Sequence, residues 1–101
     1  MRTTVGKGEK WINADSDALF EAILKLKTLG EARNFFRDLL TENEILEFSQ
    51  RWKVAQLLDK KVPYTEIGRQ TWMSSRTIAR IQKWLKRGRG GYASMIERTK
   101  A

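Results

Sequence analysis

Residues 65–87 read TEIGRQTWMSSRTIARIQKWLKR. The run begins as a short amphipathic helix, roughly Tyr64 to Gln70, that would bury Ile67, with Gly68 beside it where another helix could cross closely. It breaks at Thr71-Trp72-Met73 and restarts at a serine pair, where Ser74 or Ser75 offers a hydroxyl to the free amides of a new helix burying Ile78, Ile81 and Leu85. Two helices joined by so short a turn make a helix-turn-helix, whose second helix enters the DNA major groove with its first residues against base edges.

The charge around this motif points the same way. Between Ser74 and Gly91 stand Arg76, Arg80, Lys83, Lys86, Arg87 and Arg89 and no acid, although solvated helix faces usually mix signs. Opposite the isoleucines, Arg76, Arg80, Lys83 and Arg87 recur at i, i+4, i+7 and i+11, one basic stripe along the helix. Residues at the start of such a helix reach bases, and later cations meet phosphates as the helix leaves the groove. Ser75, Arg76 and Ala79 are therefore the candidates for base readout, with Arg76 able to donate two bonds to guanine O6 and N7. Tyr64, Thr65, Lys53, Arg80, Lys83, Lys86 and Arg87 are the candidates for the DNA backbone. Thr77 has two readings, a nucleic-acid contact or a half-buried residue packed under Trp84.

Upstream, Asp15 or Ser16 could cap a first helix carrying Leu19, Phe20, Ile23, Leu24 and Leu26 up to about Thr28. Gly30 is expected to break that run before a second helix from Glu31, whose Ala32, Phe35, Phe36, Leu39 and Leu40 read as core. Thr41 and Glu44 have the spacing of a capping box. The long helix behind them aligns Ile45, Phe48, Trp52, Ala55 and Leu58, with Lys60 and Lys61 at its negative end and Val62-Pro63 closing it. Downstream, the glycines of KRGRGGY (86–92) stop the recognition helix; no G-x-x-x-x-G-K-[ST] is present for a nucleotide. A last helix, about Tyr92 to Lys100, carries only Tyr92, Met95 and Ile96, a stripe too small to stand alone, and should dock elsewhere, on a second subunit for example.

The chain has 101 residues and no cysteine or histidine, which removes disulfides, thiolates, the usual zinc ligands and the favoured proton shuttle. Asp15 with Asp17, and Glu44 with Glu47, read as helix-start charges, so no enzymatic activity and no cofactor are expected. No stretch nears the ~20 apolar residues of a membrane span, and a cytoplasmic protein is expected. Residues 1–50 carry 7 Lys/Arg against 9 Asp/Glu, and residues 51–101 carry 13 against 3, so the two halves face different partners.

The segments LFEAILKLKTLGEARNFFRDLLTENEI, QRWKVAQLL, TIARI and the closing GY, in this order, resemble the Trp repressor superfamily, most closely its YerC/YecD-type branch, over about residues 14–98. The resemblance implies an all-α fold of about six helices, intertwined as a homodimer, with residues 1–13 as an N-terminal arm and 14–101 as the helical domain. It also implies two helix-turn-helix heads about one DNA turn apart and a near-palindromic double-stranded operator. By similarity the family's tryptophan pocket falls on Thr41, Arg51 and Arg80. The glycine and the serine that the pocket also needs are replaced by Ile81 and Trp84, which would fill the indole space, so a small-molecule effector is not expected. Trp72 stands where such turns favour glycine, which raises the expectation of a remodelled turn, and Pro63 stands where a Ser or Thr cap would be usual. The leading expectation is a DNA-binding regulator; the alternative is a protein-interaction adaptor of the transcription or replication machinery.

Overall fold

The computed structural model describes residues 9–100; residues 1–8, most of the expected arm, and 101 lie outside them. The described chain is all-α, with α1 Ala14–Ile23, α2 Leu29–Leu39, α3 Glu42–Asp59, α4 Tyr64–Thr71, α5 Ser75–Arg87 and α6 Gly91–Thr99. It divides into two compact units, one ending at Thr41 and one starting at Glu42.

In the first unit, local hydrogen bonds set the helix starts. Asn13, rather than Asp15 or Ser16, caps α1: its Oδ1 accepts from the Ser16 amide at 2.9 Å, and Ser16 Oγ accepts from the Asn13 amide at 3.0 Å. Ser16 thus completes a capping box from inside the helix, and α1 ends at Ile23, short of Thr28. Thr28 caps α2 through the Glu31 amide, while the Glu31 carboxylate accepts from the Lys27 amide at 2.8 Å. Gly30 therefore lies inside the first turn of α2 and does not interrupt it, because these bonds on either side hold the turn. Phe35 and Phe36 meet edge to face at 5.7 Å, yet neither α1 nor α2 contains a buried residue. The aromatics expected as core are only half-buried, and Leu39 is exposed. Phe20 and Leu29 also stay exposed on these two helices.

The second unit holds the core. Val54, Ala55 and Leu58 of α3 pack with Ile67 of α4, Ile78 and Ile81 of α5 and Ile96 of α6. Only the C-terminal half of the expected α3 stripe is buried, at Ala55 and Leu58, while Phe48 stays exposed. At its end Lys61 takes a left-handed φ of 65°, the Val62 amide donates to the Leu57 carbonyl and the Lys61 amide to that of Leu58. This is a Schellman close, and the cation at its tip faces the helix's negative end.

α6 does not wait for another subunit to dock. It folds back on α3 and α5, burying Ile96 and stacking Tyr92 on Trp52 at 6.4 Å and 17°, while Met95 remains exposed. The reversal depends on Gly88: a Cβ there would lie 2.4 Å from the Trp84 carbonyl oxygen, so only glycine fits. Gly90, at φ 85°, then opens α6. Gly68 is less demanding than its sequence position suggests; a Cβ would meet Met73 O at 3.5 Å and Ile78 Cδ1 at 4.0 Å, ordinary contacts.

Candidate nucleic-acid interface

The helix-turn-helix spans the expected residues. α4 starts without a side-chain cap, since Pro63 supplies only its carbonyl, to the Ile67 amide at 3.0 Å. It is held instead by Ile67, fully buried, and by Thr71, whose buried hydroxyl donates to the Ile67 carbonyl at 2.7 Å and accepts from the Met73 amide at 3.4 Å. Thr71 had no signal in the sequence beyond its place at the break. It ties the last turn of α4 to the connection, satisfying polar groups that burial would otherwise leave unpaired.

Trp72 does not remodel the turn. It adopts φ 64° and ψ 13°, and its amide donates to the Gly68 carbonyl at 2.9 Å, as a glycine would at the end of a helix. The core around Ile67 and Ile78 fixes where α4 ends and α5 begins, and the backbone between them accepts the strain of a bulky residue.

Ser74 caps α5, its Oγ accepting from the Thr77 amide at 3.2 Å and donating to Thr77 Oγ1 at 3.1 Å. Thr77 is accordingly a half-buried part of the cap. Ser75, Arg76 and Ala79 are exposed at the start of α5, and Arg80, Lys83, Lys86 and Arg87 are exposed along it. Ile78 and Ile81 lie buried on the other side. No carboxylate among the described residues pairs with Arg76, Arg80, Lys83, Lys86 or Arg87. Tyr64 and Thr65, at the start of α4, and Lys53, on α3, are exposed too. On α4, Arg69 and Gln70 donate to the Glu66 carboxylate, and the Arg69 bond foremost holds it down to about 2. The single acid of the motif is thereby neutralised within its own helix.

The residues expected from the resemblance to line an effector pocket differ in their surroundings. Ile81 is 1% exposed and belongs to the core. Trp84, at 42% exposure, lies on the flank of α5 beside the basic stripe. Arg51 pairs with Glu47 at 2.8 Å and lies 5.7 Å from the centre of the Phe48 ring, an assignment to ion pairing within α3. Burial pushes the Tyr92 hydroxyl above its usual range, with the Arg51 charge pulling partly against it. Thr41 immediately precedes α3. An open groove of about 550 Å³ between α3 and α6, lined by Gln56, Asp59, Lys60, Ile96, Thr99 and Lys100, includes none of these five.

The family model of the Trp repressor protein matches residues 14–100. The chain is 38% identical over 92 residues to the uncharacterized Bacillus subtilis protein YerC, covering 91% of this chain and 88% of YerC. A TrpR-like protein from Eubacterium eligens superimposes with a TM-score of 0.85 at 42% identity, over 90% of this chain and 94% of the other. A Staphylococcus aureus Trp repressor candidate does so with a TM-score of 0.84 at 36% identity, over 93% and 94%. With a family match across nearly its whole length, a 38% identical relative in YerC and a TrpR-like structural neighbour, the chain belongs to the Trp repressor superfamily, in its YerC-type branch.

Proposed function

We propose that the protein is a homodimeric, sequence-specific regulator of transcription that binds double-stranded DNA through α4–α5, acts as a repressor by occluding a promoter, and needs no tryptophan. The observation that carries this reading is the two-sided character of α5: isoleucines locked in the core on one side and an exposed, unpaired cationic stripe on the other. Ser75, Arg76 and Ala79 read base edges; Tyr64, Thr65, Lys53, Arg80, Lys83, Lys86 and Arg87 hold phosphates. A second copy covers the apolar residues of α1 and α2 and sets two recognition helices on a near-palindromic site. Independence from tryptophan is supported by Ile81, a core residue where the family's pocket requires glycine.

The test is selection of genomic DNA fragments by the purified protein at ~0.15 M salt, with and without tryptophan, followed by affinity measurements across salt. A near-palindromic site enriched equally in both conditions supports the reading, with log K falling by about 0.9 per phosphate neutralised as log salt rises. Enrichment only with tryptophan would refute corepressor independence. No enrichment at all would favour the adaptor.

A further inference from the structure

Two non-glycine residues of the described chain take a left-handed backbone, Lys61 and Trp72. For Lys61 the fold supplies a reason, since its amine stands in solvent near the negative end of α3. For Trp72 it supplies none. The indole is 92% exposed and packs against nothing that would offset its hydration, and its φ of 64° is one that glycine adopts freely and an L side chain only with strain. Packing and backbone geometry, the two structural reasons for choosing a residue, both argue against tryptophan at this position. Its location is informative: it is the tip of the turn, two residues before the Ser74 cap and four before Arg76, at the leading end of the basic helix.

We infer that Trp72 is a DNA-backbone contact, its ring lying on the deoxyribose at the lip of the major groove and its indole N–H donating to a phosphate oxygen. This inference rests on the DNA-binding reading above. The chemistry suits the place: an indole has an apolar body and one donor at its rim, and a sugar–phosphate edge offers an apolar surface beside an anionic acceptor. The left-handed backbone lets the chain turn while still holding a rigid side chain outward. Because the side chain is neutral, Trp72 adds affinity without releasing a counterion, and because it meets the backbone, it adds that affinity at every sequence.

The experiment measures binding of the parent protein, Trp72→Gly, Trp72→Phe and Arg76→Ala to an enriched fragment and to a scrambled one, across salt, with thermal unfolding of each protein. The expected result is that Trp72→Gly unfolds at the same or a higher temperature than the parent, yet binds both fragments about tenfold more weakly. Its salt slope stays at the parent's value. Arg76→Ala instead relaxes discrimination between the fragments and flattens the slope, and Trp72→Phe, keeping the ring, recovers part of the affinity. Parent-like binding by Trp72→Gly, with the parent binding normally, would overturn the Trp72 contact alone and turn the indole toward a protein partner. A changed salt slope in Trp72→Gly would also overturn it. If the parent binds neither fragment, the DNA-binding reading and the contact fall together.

Discussion

The first turns of α1 and α4 differ in a way that runs against their packing. α1 begins with a reciprocal capping box between Asn13 and Ser16 yet buries no residue, whereas α4 begins with a proline that caps nothing and buries Ile67 completely. The same contrast holds between the units. Up to Thr41 the chain has two well-capped helices and exposed apolar residues, Leu24 at 80% among them; from Glu42 onward it has the whole core. Strong local signals therefore mark where a helix starts, while burial decides whether it is held, and a short helix in water depends more on the second. If the chain dimerises as proposed, the exposed apolar residues of α1 and α2 are a surface that a partner copy would cover.

The largest test of this contrast replaces one apolar residue in each unit. Ile81→Ala should cost about 2–5 kcal/mol in urea unfolding, because it opens a cavity in a closed core. Leu24→Ala should stay within about 0.5 kcal/mol for the isolated chain. In sedimentation, Leu24→Ala should instead shift the protein toward monomer; equal unfolding costs for the two variants would mean that the α1–α2 surface is as covered in solution as the core is.

Gly88→Ala comes next. Its methyl would stand 2.4 Å from the Trp84 carbonyl oxygen, and the shift it forces should cost about 1–3 kcal/mol and loosen α6, visible as faster amide exchange around Ile96. Removing the α5 cap by Ser74→Ala should cost about 1 kcal/mol, and adding one to α4 by Pro63→Ser should return a similar amount. A neutral Ser74→Ala would break the comparison by making the α5 cap as dispensable as the missing cap of α4.

The smallest effect is electrostatic. Glu66 titrates at about 2 in the folded protein against an ordinary 4.5, chiefly through its bond from Arg69. Since the folded value is the lower one, the stabilisation is present above 4.5 and is lost as pH falls through about 2. Carbon-detected NMR titration of Arg69→Ala should find the Glu66 carboxyl moved back toward 4.5.

Much of the candidate interface was legible in the sequence because its signals are short-range. The break at residues 71–73, the serine restart and the cationic stripe opposite Ile78 and Ile81 all lie within 17 residues, and α5 reproduces them. Trp72's positive φ was legible as well, from its place in the turn, although not that the turn would keep its form. What went unread was set by partners far along the chain. Thr71 is an ordinary polar residue until α4 and α5 close over it, and Ile96 looked unsupported because α3, its partner, lies some forty residues earlier. The half-buried state of Phe35 and Phe36 was unreadable for the complementary reason: periodicity says that a face is apolar and leaves open what covers it.

The amino-acid sequence by itself determined the six helices, the helix-turn-helix, the basic stripe and the family, since helical period, caps and charge spacing act over a few residues. Only the tertiary structure decided that Ile81 belongs to the core and Trp84 to the flank, that α6 returns onto α3 and α5, and that Trp72 stands strained and bare at the head of α5. Burial is a property of the neighbours a side chain acquires once distant segments meet, and spacing along the chain does not contain it.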